Sequence, residues 1–99
     1  MARFVVTVRF PASFDAEFLA LIPEHRALIS RLIEENVVEA YAISASRTRG
    51  WITMNGLNAD IIRAVVAQFP LYRFFEQVEV DELFVFDSTA SRFPRISPN

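Results

Sequence analysis

Polar and apolar residues alternate from Arg3 to Phe10. Phe4, Val6, Val8 and Phe10 fall on one face, and Arg3, Val5, Thr7 and Arg9 on the other. A repeat of two is that of a strand with one buried face. Pro11 ends it, because proline has no N–H for a ladder. The period then lengthens. Ser13 or Asp15 can cap a helix, and Asp15 and Glu17 suit its positive end. Leu21, Ile22, Leu28, Ile29, Leu32 and Ile33 share one arc of that helix. It is predicted to run to about Glu35, with Pro23 kinking it or dividing it in two. Asn36 closes it in place of glycine.

Residues 37–45 read as a second strand, with Val38, Ala40 and Ala42 opposite Glu39, Tyr41 and Ile43. Residues 46–50 form a hairpin loop ending in Gly50. A third strand spans 51–55, with Trp51, Thr53 and Asn55 on one face. Asn58 caps a second helix over 59–68, in which Ile61, Ile62, Val65 and Val66 recur at helical spacing. An aromatic connector over 69–75 leads to a fourth strand, 76–86. Residues 87–99 read as an arm that docks on a partner subunit.

The order βαββαβ predicts one α+β domain over residues 1–86, ferredoxin-like, with a four-stranded antiparallel sheet and two helices on one face. The other face is left bare. A second copy covering it would make a dimeric α+β barrel.

Composition supports that reading. The chain has 99 residues, 53% of them hydrophobic and ten of them Phe. So small a domain buries only about 60–70% of its unfolded surface, so part of this apolar excess is expected to face another copy. There is no Cys and no Lys, and the single His is His25. Thiolate nucleophiles, zinc fingers and Schiff bases are therefore excluded. Ten Arg against twelve acidic residues give a net charge of −2, a poor footprint for nucleic acid. No run reaches about 18 apolar residues, so no membrane partner is expected. The opening residues lack a signal peptide's apolar stretch, and a cytoplasmic location is expected. Two Gly cannot make a phosphate-cradling loop, and no carboxylates have metal-ligand spacing. The expected chemistry uses neither metal nor organic cofactor.

What remains is proton transfer. His25, central on the apolar arc of the first helix, is the side chain that titrates nearest neutrality. It is either a base or a hydrogen-bonded core residue. Glu24 is its acidic neighbour beside the expected kink, either a second catalytic group or a solvated carboxylate. Arg47, near the hairpin, can hold a carboxylate or simply cap a turn. Tyr41, Trp51 and Tyr72 are candidate lining, and Asn55 shares a face with Trp51.

Three stretches carry a resemblance. Phe4-Val-Val-Thr-Val-Arg-Phe-Pro11, Glu24-His-Arg-Ala-Leu-Ile-Ser-Arg-Leu32 and Phe69-Pro-Leu-Tyr-Arg-Phe-Phe-Glu-Gln-Val-Glu-Val-Asp-Glu-Leu83 resemble segments of the muconolactone isomerase family. The third, against the family's Leu-Pro-Leu-Phe-Pro-Tyr-Met and Glu-Val-Asp segments, is the most specific. The resemblance spans most of residues 4–86. It implies a dimeric barrel, often within a ring such as a decamer. It also implies a cofactor-free proton shift in a small unsaturated lactone carboxylate of aromatic breakdown. The chain departs from the family at His25, where the family has an acid, at Ile43 (Arg), at Arg47 (His) and at Asn36 (Gly). Two other readings stay open: a non-catalytic ligand-binding or assembly protein, and a cofactor-free monooxygenase in which Trp51 and Asn55 hold an aromatic ring.

Overall fold

In the computed structural model, which describes residues 1–89, the elements follow the expected order. They are β1 (Ala2–Arg9), α1 (Ala16–Glu34), β2 (Val38–Ile43), β3 (Arg49–Gly56), α2 (Ala59–Val66) and β4 (Gln77–Glu82). A short 3₁₀ turn, Tyr72–Phe74, lies in the aromatic connector. All strand pairs are antiparallel, in the order β2-β3-β1-β4. The fold is ferredoxin-like α+β. From Ala90 on, the arm expected over 87–99 lies outside the described residues.

Phe4, Val6 and Val8 of β1 and Ile52 and Met54 of β3 point toward the helices and are buried. Phe18, Ile29 and Leu32 of α1 and Ile62 and Val66 of α2 meet them, and Phe69 and Leu71 of the connector close the core. Continuous burial of this kind is the main force holding so small a domain together.

Both helix starts carry side-chain caps. Asp15 accepts from the Phe18 N–H at 2.8 Å, and Asn58 accepts from the Ile61 N–H at 2.9 Å. Asn36 takes the left-handed conformation after α1, with φ 62°. There Val37 N–H donates to the Leu32 carbonyl and Asn36 N–H to that of Ile33, a Schellman closure.

Four expectations are corrected. Pro23 does not divide α1, which is assigned as one helix from Ala16 to Glu34. Phe18 on one side of Pro23, and His25, Ile29 and Leu32 on the other, are all buried, and that packing outweighs one lost backbone bond. The hairpin loop is residues 44–48, and Gly50 is a strand residue. The Ser44 hydroxyl accepts from the Thr48 and Arg49 N–H groups, which turns the chain early. β4 stops at Glu82, which pairs with Phe4, and the Leu83 N–H makes a last bond to the Arg3 carbonyl. Phe84 is consequently fully exposed.

The fourth correction matters for the site. A bulge between Val38 and Ala40 lets two residues of β2 oppose one of β3. Beyond it Tyr41 pairs with the inward Ile52, and Ala42 with the outward Trp51. Val38, Tyr41 and Ile43 therefore share the helix side, while Ala40 and Ala42 join the open face.

Candidate active site

The bulge and α1 bring His25 and Tyr41 together. His25 is 2% exposed, the sole buried polar or charged residue among those described. Its Nε2 lies 2.8 Å from the Tyr41 hydroxyl. Phe69 stands edge-on to the imidazole, with ring centres 5.4 Å apart, and Phe75 does so at 6.5 Å. Nδ1 is buried without a hydrogen-bond partner.

Burial, with a smaller contribution from the Arg26 guanidinium, pushes the His25 pKa down from 6.5 to about 4. Burial raises that of Tyr41 from 10.0 to about 12, against a lowering pull from Arg26. At neutral pH the pair is therefore uncharged. When Nδ1 carries the ring hydrogen, Nε2 accepts from Tyr41. When Nε2 carries it, the Tyr41 hydroxyl is free to donate elsewhere.

A cavity of about 120 Å³ opens beside the pair, lined by Phe10, Phe14, Phe18, Ile22, Arg26, Ile43 and Leu71 as well as His25 and Tyr41. Phe14 and Phe18 stack with ring centres 4.0 Å apart, and Phe10 meets both edge-on. Such walls favour an apolar ring. An apolar protein cavity of about 150 Å³ takes up benzene, so the space here suits one six-membered ring whose substituents reach the mouth. A second cavity, of about 170 Å³, adjoins His25, Arg26 and Tyr41 and is bounded also by Ile29, Ser30 and Ile33.

The other predicted site residues lie elsewhere. Glu24 faces a separate depression with Ala27, Leu28, Arg31, Gln68 and Pro70, because no break in α1 turns it inward. Arg47 lines a neighbouring depression with Ala12, Ser13, Phe14, Leu19 and Ser46, so it shares a Phe14 wall with the ring-sized cavity but does not line it. Trp51 and Asn55 belong to the sheet face away from the helices, since they alternate with the buried Ile52 and Met54. They line neither of the two cavities beside His25. Asn55 instead donates through Nδ2 to the Asn36 carbonyl at 3.2 Å. Tyr72 is exposed and meets Phe75 edge-on.

Two features were missed in the sequence. Arg26 is not among the residues the sequence singled out, yet it lines both cavities. A signal was available: positions 22, 23, 29 and 30, three and four residues away, hold Ile, Pro, Ile and Ser, so no acid pairs with it along the helix. The Phe10, Phe14 and Phe18 wall was also missed, because three core-like aromatics give no sign that they enclose space. Among the described residues no group of three or more acidic or His side chains is placed to hold a metal ion. No helix is long and apolar enough to cross a membrane.

No family model matches the chain, and no curated protein does. Solved structures do. One is 5-chloro-2-hydroxyhydroquinone dehydrochlorinase from Burkholderia phenoliruptrix, in complex with 2,5-dihydroxybenzoquinone. It superposes with a TM-score of 0.59 at 12% identity, over 82% of this chain and 92% of that one. At that identity the likeness shows a shared α+β fold.

Proposed function

We propose that this chain catalyses a cofactor-free proton shift in a small unsaturated ring compound of aromatic breakdown, in the manner of muconolactone isomerase. The observation that carries this reading is the neutral His25–Tyr41 pair on the wall of a cavity sized for one ring. That a protein of the same fold was solved in complex with 2,5-dihydroxybenzoquinone supports this reading.

In the proposed step the His25–Tyr41 pair relays the proton. Tyr41 presents its hydroxyl oxygen to the ring, with His25 behind it and Nδ1 protonated. As a substrate C–H bond breaks, the proton passes to the Tyr41 oxygen, and the Tyr41 proton passes to Nε2. The substrate is left as an enolate and His25 as an imidazolium. The reverse transfer to a different carbon completes the shift, with no net change in protons.

The same reading includes a homodimer. On the open sheet face Val5, Thr7, Ala40, Ala42, Trp51 and Thr53 make a central strip between charged edges, and Trp51 is 39% exposed. Phe84 and Val85 project beyond β4. Covering them with a second copy removes that apolar surface from water.

A second reading has its own support. With the cavity empty, a His25 pKa near 4 makes a weak base, which suits a ligand-binding protein without turnover. Incubation with muconolactone in deuterated water separates the two. The isomerase reading expects deuterium incorporation that is lost in His25→Asn and in Tyr41→Phe. Binding without incorporation selects the second reading, and incorporation that survives His25→Asn removes the pair from the chemistry.

A further inference from the structure

We propose that Arg26 is an anion receptor at the rim of the ring-sized cavity, and that the anion it takes is what makes His25 a competent base. This rests on the ring-site reading above and adds a charge requirement and a residue to it.

Arg26 follows His25 on α1 and lines the cavities on both sides of the His25–Tyr41 pair. No acid stands three or four residues from it on the helix. Among the described residues the ion pairs join Arg3 to Glu39, Arg31 to Glu35 and Arg73 to Glu17, and none uses Arg26. Glu24, its nearest acid in sequence, lines the Pro70 depression. Among the described residues the exposed guanidinium thus has no ion-pair partner at the mouth of a largely apolar cavity.

The groups around His25 make the coupling simple. Its own helix contributes Arg26, β2 contributes the uncharged Tyr41, and the connector contributes Phe69 and Phe75. Among the described residues no carboxylate lines either cavity. With the cavity empty, burial and the Arg26 charge both oppose protonation. An anion on Arg26 offsets that charge and itself favours a nearby imidazolium. The preferred ligand is therefore one ring bearing a single negative group near its edge. A neutral ring would fill the same space and leave His25 unresponsive.

The lone histidine makes the test direct, because one imidazole titration in isotope-labelled protein can only be His25. The probes are benzoate and its uncharged isostere benzamide, with the wild type and Arg26→Gln. Arg26 is exposed, so the variant is expected to fold, and thermal unfolding checks that. Without ligand, His25 should titrate higher in Arg26→Gln than in the wild type. Saturating benzoate should raise the wild-type midpoint by about one pH unit or more. Its affinity should fall about tenfold or more in the variant, as expected for a lost charge-assisted bond. Benzamide should bind both proteins alike and leave the midpoint unmoved.

Equal titration of His25 in both ligand-free proteins overturns the coupling, and equal benzoate affinity overturns the receptor. If benzamide binds as well as benzoate, the ring site stands and the charge requirement falls. If neither binds, the ring site and the receptor fall together.

Discussion

Tyr41 reaches His25 because Glu39, between Val38 and Ala40 on β2, is an extra residue that shifts the register against β3. Without the bulge, strict alternation would point Tyr41 at the open face with Trp51. With it, the hydroxyl closes to 2.8 Å from Nε2 and supplies the single hydrogen bond of an otherwise enclosed imidazole. Tyr41→Phe therefore leaves both ring nitrogens without a partner. An unsatisfied buried polar group costs about 1–3 kcal/mol. Urea unfolding of Tyr41→Phe should show a loss of that size with an unchanged slope. His25→Leu, which removes the polar group itself, should cost less despite the larger chemical change.

The same burial makes stability depend on pH in a stated direction. The folded-state pKa of His25 is about 4 and its ordinary value 6.5, so between these values the unfolded chain binds the extra proton. Stability is fully present above about pH 6.5 and falls as the pH drops toward 4. Each tenfold preference is worth about 1.4 kcal/mol, so the full swing is about 3 kcal/mol. Denaturant midpoints measured across this range should fall in the wild type. In His25→Leu the part of the slope that is due to His25 should vanish. Equal slopes in both proteins would place the acid sensitivity in the carboxylates.

Much of this was legible in the chain. Alternation in β1, helical spacing in α1 and α2, and the caps at Asp15 and Asn58 give the element order directly, and the order gives the fold. His25 was correctly placed on the inner face of α1 by the same spacing. The bulge was not legible, because Glu39-Ala-Tyr-Ala-Ile43 alternates equally well in either register, and only pairing with Ile52 and Trp51 decides it. Nor was the separation of Arg47, Trp51 and Asn55 from His25, which depends on which sheet face and which end of the domain each occupies. Chemistry read from residue types alone pooled side chains that the fold keeps apart.

Gly50 tests whether the cavity wall can shift. A Cβ there would lie 3.1 Å from Ile43 Cδ1 and from Val8 Cγ2, and 3.2 Å from Phe10 Cε2. Ile43 and Phe10 line the ring-sized cavity. Gly50→Ala must push one or more of these side chains, and overpacking of this kind costs about 1–3 kcal/mol. Calorimetry of the variant should show a lowered Tm. Benzoate titration should show weaker binding, because the displaced side chains have the cavity as their nearest free space. Unchanged affinity would mean the shift is taken up on the Val8 side.

Asn36 offers a gain in stability without touching the site. Its φ of 62° suits glycine better than any residue with a Cβ. Asn55 contacts the Asn36 backbone carbonyl, which every residue keeps. Asn36→Gly should therefore be neutral or slightly stabilising. Asn36→Ala should cost about 1 kcal/mol, the penalty for the left-handed region. Parallel chemical denaturation of the two variants checks the ordering. A more stable Ala variant would show that the Schellman closure has rearranged.

Trp51 tests the proposed dimer. It pairs across strands with Thr7 on one side and Ala42 on the other, so it sits in the middle of the apolar strip on the open face. Trp51→Glu would bury a carboxylate in any interface formed there, in the same cross-strand row as Glu79, which pairs with Thr7 on the other side of β1. An unpaired buried charge is expelled at a cost of several kcal/mol, more than most small interfaces can absorb. Within a protomer the substitution is made on an exposed side chain, and it should leave circular dichroism and the His25 titration unchanged. Light scattering on the eluted species should report a dimer or larger ring for the wild type and a monomer for Trp51→Glu. A wild-type monomer refutes the dimer, and a Trp51→Glu dimer moves the interface off this face.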